Sequence, residues 1–580
     1  MSDSESTFDR RSFLALGAAA SAVLLAPTVP AAAAPVGNWP SASAWARLRS
    51  QVGGRLIRPQ APWATLRASQ AVPERFLNPW FLEEQPGATQ STGMYKAWNS
   101  TPSQYAVAAE STADIVAAVN FARENDVRLV VKGTGHDYFG RSCGPRNSLL
   151  IWTHNMRKIT VHDAFVPQGA PTGSAPVTAV TTTAGNRWLE AYKAATEADL
   201  YIQGGGCTSV GACGGFALGG GFGSYSKRYG SGAAGVLEIE VVTADGKVRT
   251  CNRFKNSDLF WAMRGGGGGT FGVVTHMTLL AHPIPTISGW IAGPITAKTD
   301  DGYRELIRRY LEFVRDVAND SAYGEGVIFP GGENTAQVGT SFLDLTEEEA
   351  RAQWATFLDP LRARPDEFSV DIRFSTRPFN TRWTPQEGEA IWDNRKNAPK
   401  GYFWWTGNAS EVAAYWGGYE GRGVPHETLA ADRVGDLAEA IFQATRTSLV
   451  LWQTSKALYG ESAEARARDE ETSLNPAVFN NTAFVTLGEW QQAVYPGVRG
   501  HQPDRSEAQE QFVGVSRAMD FIRAATPGGG SYANEGSYFT KDWQSEFWGA
   551  NYPRLLAIKK KYDPNNLFRV HLGVGSELTS

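Results

Sequence analysis

Three glycine-rich segments hold the residues of this 580-residue chain whose types and spacing could do chemistry. The first contains a histidine at position 136, and the second contains a cysteine at position 207 in a stretch, 204–223, of which half is glycine. The third covers 258–275. Because glycine has no Cβ, several backbone N–H groups can converge on one anion. Three such segments predict a large ligand with a pyrophosphate, of the dinucleotide type.

Common nucleotide and metal motifs are absent from the sequence. There is no GxxxxGK[ST], no GxGxxG that opens a helix after the first strand and no HExxH. The SxxK match at Ser224–Lys227 lacks the SDN and KTG partners that such an active site needs. These absences argue against a nucleoside-triphosphate loop, a Rossmann dehydrogenase and a zinc protease, and no metal is expected.

Composition and charge restrict the possible classes of protein. The 55 Lys and Arg residues and 59 Asp and Glu residues give a net charge of −4, which excludes the basic balance of a nucleic-acid binder. A hydrophobic fraction of 42% and a charged fraction of 20% are ordinary globular values. Four cysteines exclude a disulfide-stapled scaffold. The sequence therefore predicts a globular protein of more than one domain.

Alternating strands and helices position the glycine-rich segments. The run Val127–Val131 predicts a strand that leads directly into the first segment, and Ser111 with Asp114 is typical of a helix N-terminus. Two runs around Ala244-Asp245-Gly246 predict a hairpin, Leu237–Thr243 with Lys247–Thr250. The remaining predicted elements of this half are strands Tyr105–Val107, Val177–Thr183 and Phe271–Leu280 and the helix Arg187–Ala198.

The composition and the periodicity of the sequence change near residue 285. Amphipathic helices, Gly302–Val317 and Thr346–Leu361, then alternate with aromatic-rich strands such as Gly401–Thr406, and glycine becomes less frequent. A domain boundary is expected there.

Four motifs in a fixed order resemble a known family. The stretches GTGHDYFGRS, GGGCTSVGACGGFALGGGFG and DLFWAMRGGGGGTFGVVT are followed by the ending Asn551–Phe568. On these motifs the chain resembles the berberine-bridge-enzyme-like oxidases of the vanillyl-alcohol-oxidase flavoprotein family, over about 100–285 and 530–577. The resemblance implies an α+β fold, with a discontinuous PCMH-type FAD-binding domain and a middle substrate domain of antiparallel sheet covered by helices. The predicted divisions are a signal at 1–34, an extended segment at 35–90, the main FAD-binding part at 91–285, the substrate domain at 286–529 and a C-terminal return at 530–580.

The resemblance also implies a covalent flavin. His136 would carry FAD through the 8α carbon, and Cys207 would bond C6 of the ring, with Cys213 as the alternative to Cys207. The residues expected to bind the cofactor are Lys132, Gly133, Thr134, Gly135, His136, Asp137, Gly140, Arg141, Ser142, Gly206, Cys207, Val210, Gly211, Gly214, Gly215, Gly219, Gly221, Gly223, Gly272, Val273, Val274 and His571. With Cys207 used, Cys143, Cys213 and Cys251 permit at most one disulfide, and the sequence does not select a pair.

Catalytic groups are expected near the C-terminal motif. Oxidation of an alcohol carbon needs a base for the hydroxyl proton, and Tyr532 is the first candidate, although its pKa would have to fall from about 10. Glu535 is the alternative base, and Tyr532 could instead be a structural hydroxyl. Val210 would gate oxygen, and its small side chain favours an oxidase over a dehydrogenase. Aromatic residues of the middle domain either line a substrate cavity or pack in the core; they are Trp404, Trp405, Tyr415, Trp416 and Tyr419.

The N-terminus resembles a twin-arginine export signal. Arg10 and Arg11 precede Phe-Leu, a short apolar run follows from Ala15 to Ala26, and small residues end at Ala34. A disordered basic tail is the alternative. The signal implies transport of a folded, cofactor-loaded protein by the twin-arginine machinery to the periplasm or the outside of the cell.

Together these features predict an exported FAD-dependent oxidase. It would abstract hydride from an alcohol or sugar-type hydroxyl and reduce O2 to H2O2, acting on a small molecule and on no nucleic acid, without stable membrane insertion. One alternative is an oxidative tailoring enzyme of secondary metabolism that forms a ring or a C=C bond in an enclosed, apolar cavity. The other is a carbohydrate-binding protein that has no redox role and uses its tryptophans to bind the carbohydrate.

Overall fold

Residues 39–579 are described by a computed structural model, and the predicted signal at 1–34 lies outside the described residues. This part of the chain forms fourteen α-helices: α1 Ala42–Gln51, α2 Pro79–Glu83, α3 Thr112–Asn125, α4 Trp188–Thr196, α5 Gly215–Leu218, α6 Ser226–Tyr229, α7 Ser257–Met263, α8 Asp300–Phe313, α9 Glu347–Arg362, α10 Val434–Thr445, α11 Ala463–Asp469, α12 Arg505–Ala525, α13 Trp543–Trp548 and α14 Tyr552–Tyr562. Within residues 39–579, no helix is long and apolar enough to cross a membrane.

The same residues form twenty-two strands. They are β1 Leu56–Ile57, β2 Gly93–Met94, β3 Trp98–Asn99, β4 Tyr105–Ala108, β5 Arg128–Lys132, β6 Ser148–Trp152, β7 Ile159–Phe165, β8 Val177–Thr183, β9 Leu200–Ile202, β10 Val236–Val242, β11 Val248–Cys251, β12 Val273–Pro283, β13 Ile287–Ala297, β14 Tyr323–Phe329, β15 Thr335–Leu343, β16 Phe368–Val370, β17 Arg373–Pro378, β18 Ala390–Trp392, β19 Phe403–Trp405, β20 Ala414–Pro425, β21 Val450–Gln453 and β22 Asn481–Gln492.

A four-stranded sheet delivers the first glycine-rich segment. Its order is β1-β4-β6-β5, in which β4, β6 and β5 are parallel and Lys132 is in register with Trp152. The helix α3 before β5 begins with a capping box, because the Ser111 hydroxyl accepts from the Asp114 amide and the Asp114 carboxylate accepts from the Ser111 amide. The predicted helix start and the predicted strand are both confirmed.

A six-stranded antiparallel sheet carries the second and third segments. Its order is β11-β10-β12-β8-β7, with β9 paired to β12. The predicted hairpin is β10–β11, and its turn needs glycine because Gly246 has φ +75° and a Cβ there would lie 2.0 Å from Asn120 Oδ1. The strand β12 ends this sheet at Pro283, and β13 starts the next one at Ile287.

A ten-stranded sheet forms most of the middle of the chain. Its order is β16-β13-β15-β14-β21-β22-β20-β2-β3, with β17 paired to β13. Helices α8, α9, α10 and α12 bury apolar side chains such as Leu306, Trp354, Ile441 and Met519 in the same core as this sheet. The predicted α+β class is confirmed.

Two parts of the N-terminal region differ from the sequence prediction. The segment 35–90 was predicted to be extended apart from a helical patch near Ser43–Leu56; α1 lies at that patch, whereas α2 was not predicted. The strands β2 and β3 lie within the predicted FAD-binding part, but β2 pairs in parallel with β20 of the large sheet. Two-residue strands show no periodicity, and this pairing depends on residues more than 300 positions away, so local patterns could not predict it.

The C-terminal segment holds the third glycine-rich segment in place. Trp548 Nε1 donates to the carbonyl of Gly265 at 2.9 Å. The buried Lys559 ammonium donates to the carbonyls of Thr270 and Phe568 and pairs with Asp563 at 2.6 Å. The last helices therefore stabilise a loop almost 300 residues earlier in the chain.

Candidate active site

A cavity of about 1250 Å³ lies between the glycine-rich segments and the ten-stranded sheet. Sites for one small ligand usually measure about 300–1000 Å³, so this cavity can hold a cofactor and a substrate together. Most of the residues predicted to bind the cofactor line it: Lys132, Gly133, Thr134, Gly135, His136, Asp137, Gly140, Arg141, Ser142, Gly206, Cys207, Val210, Gly211, Gly214, Gly215, Gly223, Gly272, Val274 and His571.

Three of the predicted cofactor residues do not line the cavity. A Cβ on Gly219 would lie 2.3 Å from Asn534 Oδ1, so this glycine is needed for packing against the C-terminal motif. The Gly221 amide donates to Tyr532, and Val273 is fully buried in the sheet. The prediction that these three residues line the cofactor site is corrected here. They pack behind the residues that form the cavity wall.

The first glycine-rich segment presents free backbone donors to the cavity. The N–H groups of Gly135, His136 and Asp137 donate to no group among residues 39–579. Gly140 has φ +69°, and a Cβ on it would lie 2.4 Å from the Trp98 ring. The loop therefore keeps bare, unpaired amides in a conformation that suits an anionic ligand such as a pyrophosphate.

The second segment exposes backbone in the same way. A Cβ on Gly214 or on Gly215 would meet no protein atom within 4 Å, although both residues line the cavity. The Ser142 hydroxyl, also in the wall, is buried with no hydrogen-bond partner among residues 39–579. Unfilled space beside glycine and an unpartnered buried hydroxyl both fit a large bound cofactor.

Lys132 has a structural role. Its ammonium donates to the carbonyls of Gln85, Pro86 and Ala88 at 2.7–3.0 Å, and an ammonium has three donors. The predicted contact with the cofactor is therefore limited to the backbone and the alkyl chain of Lys132. Its ammonium instead binds the segment 85–88, which precedes β2, to the start of the first glycine-rich segment.

His136 and Cys207, the two predicted attachment residues, share one neighbour. His136 Nε2 lies 3.0 Å from Ser209 Oγ, and Cys207 Sγ lies 3.7 Å from the same oxygen. Burial lowers the pKa of His136 to about 3, so its imidazole is neutral. Burial raises the pKa of the Cys207 thiol to about 11. Hydrogen bonds from Ser209 and from the Val210 amide act in the opposite direction but are the smaller effect.

The other three cysteines do not form disulfides. Cys143, Cys213 and Cys251 are free thiols, as is Cys207. Cys213, the alternative attachment residue, also lines the cavity, and burial raises the pKa of its thiol. It is His136 and Cys207 that the structure brings together at Ser209.

Tyr532, the first candidate base, has its hydroxyl engaged within the protein. Its hydroxyl oxygen accepts hydrogen bonds from the Gly221 amide at 3.0 Å and from Asn534 Nδ2 at 2.9 Å. Burial, with the Glu535 charge nearby, raises the pKa of Tyr532, whereas catalysis near neutrality requires a lower value. The expected lowering of its pKa is therefore corrected, and the Tyr532 hydroxyl joins two loops through these hydrogen bonds.

Glu535, the alternative base, is paired. Lys456 Nζ lies 2.7 Å from one carboxylate oxygen of Glu535 and 2.5 Å from the other, and the Tyr419 hydroxyl donates to this carboxylate at 3.4 Å. All three residues line the cavity. His571 also lines it, and its Nε2 donates to the Tyr538 carbonyl at 2.8 Å.

Sequence reasoning did not identify Glu411 and Tyr138. The Tyr138 hydroxyl donates to Glu411 Oε2 at 3.1 Å, and the Tyr138 ring stacks on Tyr419 with centroids 4.1 Å apart. Burial raises the pKa of Glu411. Tyr138 follows His136 by two residues and could have been found from the first motif, but Glu411 stands in a stretch without any motif.

Aromatic residues form much of the remaining wall. Of the five predicted from the middle domain, Trp404, Trp405, Trp416 and Tyr419 line the cavity, whereas Tyr415 does not. Trp290, Trp383 and Trp490 also line it and were not predicted.

Comparison with known proteins supports the assignment of this site. A family model described as an FAD binding domain matches residues 103–252, and one described as berberine and berberine like matches 531–575. The FAD-linked oxidoreductase ZEB1 of Gibberella zeae is 30% identical, over 93% of this chain and 92% of its own length. The chain belongs to the berberine-bridge-enzyme-like, VAO-type FAD-linked oxidoreductases.

A sequence relative and a solved structure also agree with this assignment. The VAO-type flavoprotein oxidase VAO615 of Thermothelomyces thermophilus is 30% identical, over 93% of this chain and 92% of its own length. The crystal structure of the VAO-type flavoprotein MtVAO615 from Myceliophthora thermophila C1 is 26% identical, covers 94% of this chain and 97% of that one, and superposes with a TM-score of 0.75.

Membership of the VAO-type FAD-linked oxidoreductases decides two earlier expectations. The cofactor is FAD, and the protein is an FAD-dependent oxidoreductase. The alternative of a carbohydrate-binding protein without redox chemistry is therefore wrong.

Proposed function

We propose that this VAO-type oxidoreductase is an oxidase that converts an alcohol or sugar-type hydroxyl to the carbonyl, with O2 reduced to H2O2. FAD, when bound, supplies the redox chemistry, since it accepts a hydride from carbon and returns two electrons to O2. The reaction balances as one alcohol and one O2 giving one carbonyl compound and one H2O2, because the two hydrogens lost by the alcohol are those gained by O2. The protein must bind the hydroxyl, remove its proton and exclude water.

The pair of Glu411 and Tyr138 carries this proposal. Tyr138 stands two residues after His136, so the pair lies close to the residue expected to hold the cofactor. Burial raises the pKa of Glu411, which makes its carboxylate a stronger base than an exposed one. We infer that Glu411 takes the hydroxyl proton and that Tyr138 orients its carboxylate.

The neighbouring charges support this division of roles. Lys456 neutralises the Glu535 carboxylate. Tyr419 donates to the same carboxylate and stacks on the Tyr138 ring, so it connects the Lys456–Glu535 ion pair to Tyr138. Glu411 has no cation within ion-pair distance among residues 39–579, whereas the Glu535 carboxylate is held by an ammonium. A carboxylate that is free of an ammonium is the better proton acceptor.

We also propose that FAD is bonded to both His136 and Cys207. A neutral imidazole has a nucleophilic nitrogen, and burial keeps His136 neutral. Ser209 lies between the two side chains and can fix their orientations. Val210 lines the cavity three residues after Cys207, and its small side chain supports reaction with O2.

A second candidate is oxidative tailoring of an aromatic or ring-forming substrate. The observation that favours it is the tryptophan-rich wall formed by Trp290, Trp383, Trp404, Trp405 and Trp490. Flat indole faces accept an apolar ring system. The two candidates differ in product, since the tailoring reaction forms a new ring or C=C bond where the alcohol oxidase forms a carbonyl.

A peroxide-release screen tests the proposal. Purified protein is offered simple alcohols, mono- and oligosaccharides and aromatic alcohols, and products are analysed by mass spectrometry. We expect peroxide with loss of two hydrogens at a hydroxyl-bearing carbon, and loss of this activity in Glu411→Gln. The matched control is Glu439→Gln, because Glu439 pairs with Arg304 on α8 and does not line the cavity. Ring closure without carbonyl formation would favour the second candidate.

We propose in addition that the protein is exported through the twin-arginine route to the periplasm or beyond. The support is the sequence around Arg10 and Arg11. Replacing both by lysine should leave folded, flavin-loaded protein in the cytoplasm, measured by cell fractionation and flavin fluorescence. Undiminished mature protein outside the cell would contradict this proposal.

A further inference from the structure

Arg382 is a cation in the cavity wall that lacks an ionic partner. It follows β17 in the sequence, and its guanidinium lies over the rings of Tyr225 and Trp383, at 5.4 and 5.7 Å from their centroids. One nitrogen, Nη1, donates to the Tyr225 hydroxyl at 3.2 Å. The aromatic faces flank the guanidinium, and the bond to Tyr225 is its only side-chain hydrogen bond within residues 39–579.

Three other cations that line this cavity are each paired with a carboxylate of the protein. Arg141 lies 2.7 Å from Asp137, Arg377 lies 3.0 Å from Glu389, and Lys456 lies 2.5 Å from Glu535. Among residues 39–579, no carboxylate oxygen lies within 4.0 Å of Arg382. An arginine has five N–H donors, and only one of those on Arg382 has an acceptor in this part of the chain.

The position of Arg382 is beside the segment that carries Cys207. The ring of the next residue, Trp383, stacks on Tyr192 with centroids 4.1 Å apart. The Tyr192 hydroxyl donates to the Gly205 carbonyl at 2.8 Å. Arg382 therefore belongs to the part of the cavity next to the predicted cysteine attachment, whereas Glu411 contacts Tyr138 of the histidine loop.

One acidic side chain faces the same region. Glu325 lines the cavity, accepts a hydrogen bond from the Ser224 hydroxyl and has a left-handed backbone with φ +62°. Its Oε1 lies 3.9 Å from the position that a Cβ on Gly206 would take. Since Glu325 is tied to Ser224 and lies beyond ion-pair distance, the donors of Arg382 remain available to a ligand.

We propose that Arg382 binds a carboxylate of the substrate, so that the substrate class of this site is an acidic alcohol such as a hydroxy acid or a uronic-acid-type sugar. A planar guanidinium fits a carboxylate through two parallel hydrogen bonds. The identity of the oxidised group rests on the proposed oxidase function, but the binding of a carboxylate at Arg382 does not.

Calorimetric titration tests anion binding without turnover. The purified holoenzyme is titrated with sodium benzoate and with benzamide, which has nearly the same shape and no charge. We expect benzoate to bind at least about tenfold more tightly than benzamide, in line with a charge-assisted hydrogen bond. Arg382→Met should weaken benzoate by about tenfold or more and leave benzamide within about threefold. Arg377→Met, the matched control at an arginine already paired with Glu389, should leave benzoate within about threefold.

The conservative variant Arg382→Lys keeps the charge and loses the planar fork, so it should bind benzoate with intermediate affinity. It also keeps the test decisive if Arg382→Met fails to fold. Equal affinity for benzoate and benzamide, no benzoate binding by the parent, or unchanged benzoate binding in both Arg382 variants would each overturn the proposal. Benzoate binding without peroxide from any alcohol would refute the oxidase function alone.

Discussion

The hydroxyl of Ser209 lies 3.0 Å from Nε2 of His136. The same oxygen lies 3.7 Å from Sγ of Cys207, so one buried serine contacts both residues expected to carry the flavin. This contact engages Nε2 of the neutral imidazole and so fixes the orientation of the ring. Ser209 is therefore a positioning residue for the attachment.

Removing this hydroxyl should slow flavin attachment. Ser209→Ala loses one hydrogen bond, worth about 0.5–1.5 kcal/mol, and we expect attachment to slow by about threefold to tenfold. The measurement is in-gel flavin fluorescence of denatured protein, followed over time after FAD is added to apoprotein. Ser288→Ala removes a buried cavity hydroxyl that has no partner in the described chain, and should attach flavin at the parent rate. Equal rates in all three proteins would remove Ser209 from this role.

Two separate bonds should hold the flavin. His136→Ala and Cys207→Ala should each retain covalent flavin through the remaining bond, whereas the double variant should release FAD on denaturation. Peptide mass spectrometry locates the flavin on the His136 and Cys207 peptides, and Cys213→Ala serves as the control for the alternative thiol. A colourless denatured pellet from the parent protein would refute covalent attachment altogether.

The base should be Glu411. Glu411→Gln should slow flavin reduction by substrate about 10²–10⁴-fold, the usual contribution of a general base, in anaerobic stopped-flow measurements. Tyr532→Phe should stay within about threefold of the parent rate. It should instead lower the free energy of unfolding by about 1–3 kcal/mol, because the Gly221 amide and Asn534 lose their acceptor. The reverse pattern would return Tyr532 to the mechanism.

Stability should fall in acid because of His154. Its Nδ1 accepts from Arg187 at 2.9 Å, and burial together with the Arg187 charge lowers the pKa of His154 to about 2. Below the unfolded pKa of about 6.5, only the unfolded chain takes up a proton at His154. The contribution of the neutral His154 to the free energy of unfolding is therefore complete above pH 6.5 and is lost as the pH falls.

Urea titrations at pH 7, 6 and 5 measure this effect. The free energy of unfolding of the parent should decrease with falling pH, and in His154→Gln the slope should be smaller by up to about 1.4 kcal/mol per pH unit. Near-ultraviolet circular dichroism checks that the variant keeps its native packing. Identical slopes in both proteins would show that His154 does not couple folding to protonation.

Local sequence patterns predicted those parts of the site that are formed by main-chain atoms, namely the glycine-rich loops and the strand that precedes the first of them. The strand β5 and its glycine loop follow from a β-branched run that ends in glycine, and the cavity lining contains most of the residues named from the motifs. Side-chain chemistry was harder to predict. The direction of the Tyr532 pKa depends on burial by Phe222 and Phe484, and Glu411 becomes significant only through Tyr138, 273 positions earlier.

The strand β2 has a consequence for the order in which the chain can fold. It pairs with the nearby β3, but its other edge pairs with β20, where Gly93 is in register with Tyr415, so the β2–β3 pair cannot join the large sheet until more than 300 further residues have been synthesised. The edge strands of an incomplete sheet are prone to pair with other chains. Contacts of such long sequence separation form slowly. The nascent chain must therefore be kept from aggregating until β20 has been made, and co-expressed chaperones should raise the yield of folded protein more than a stronger promoter does.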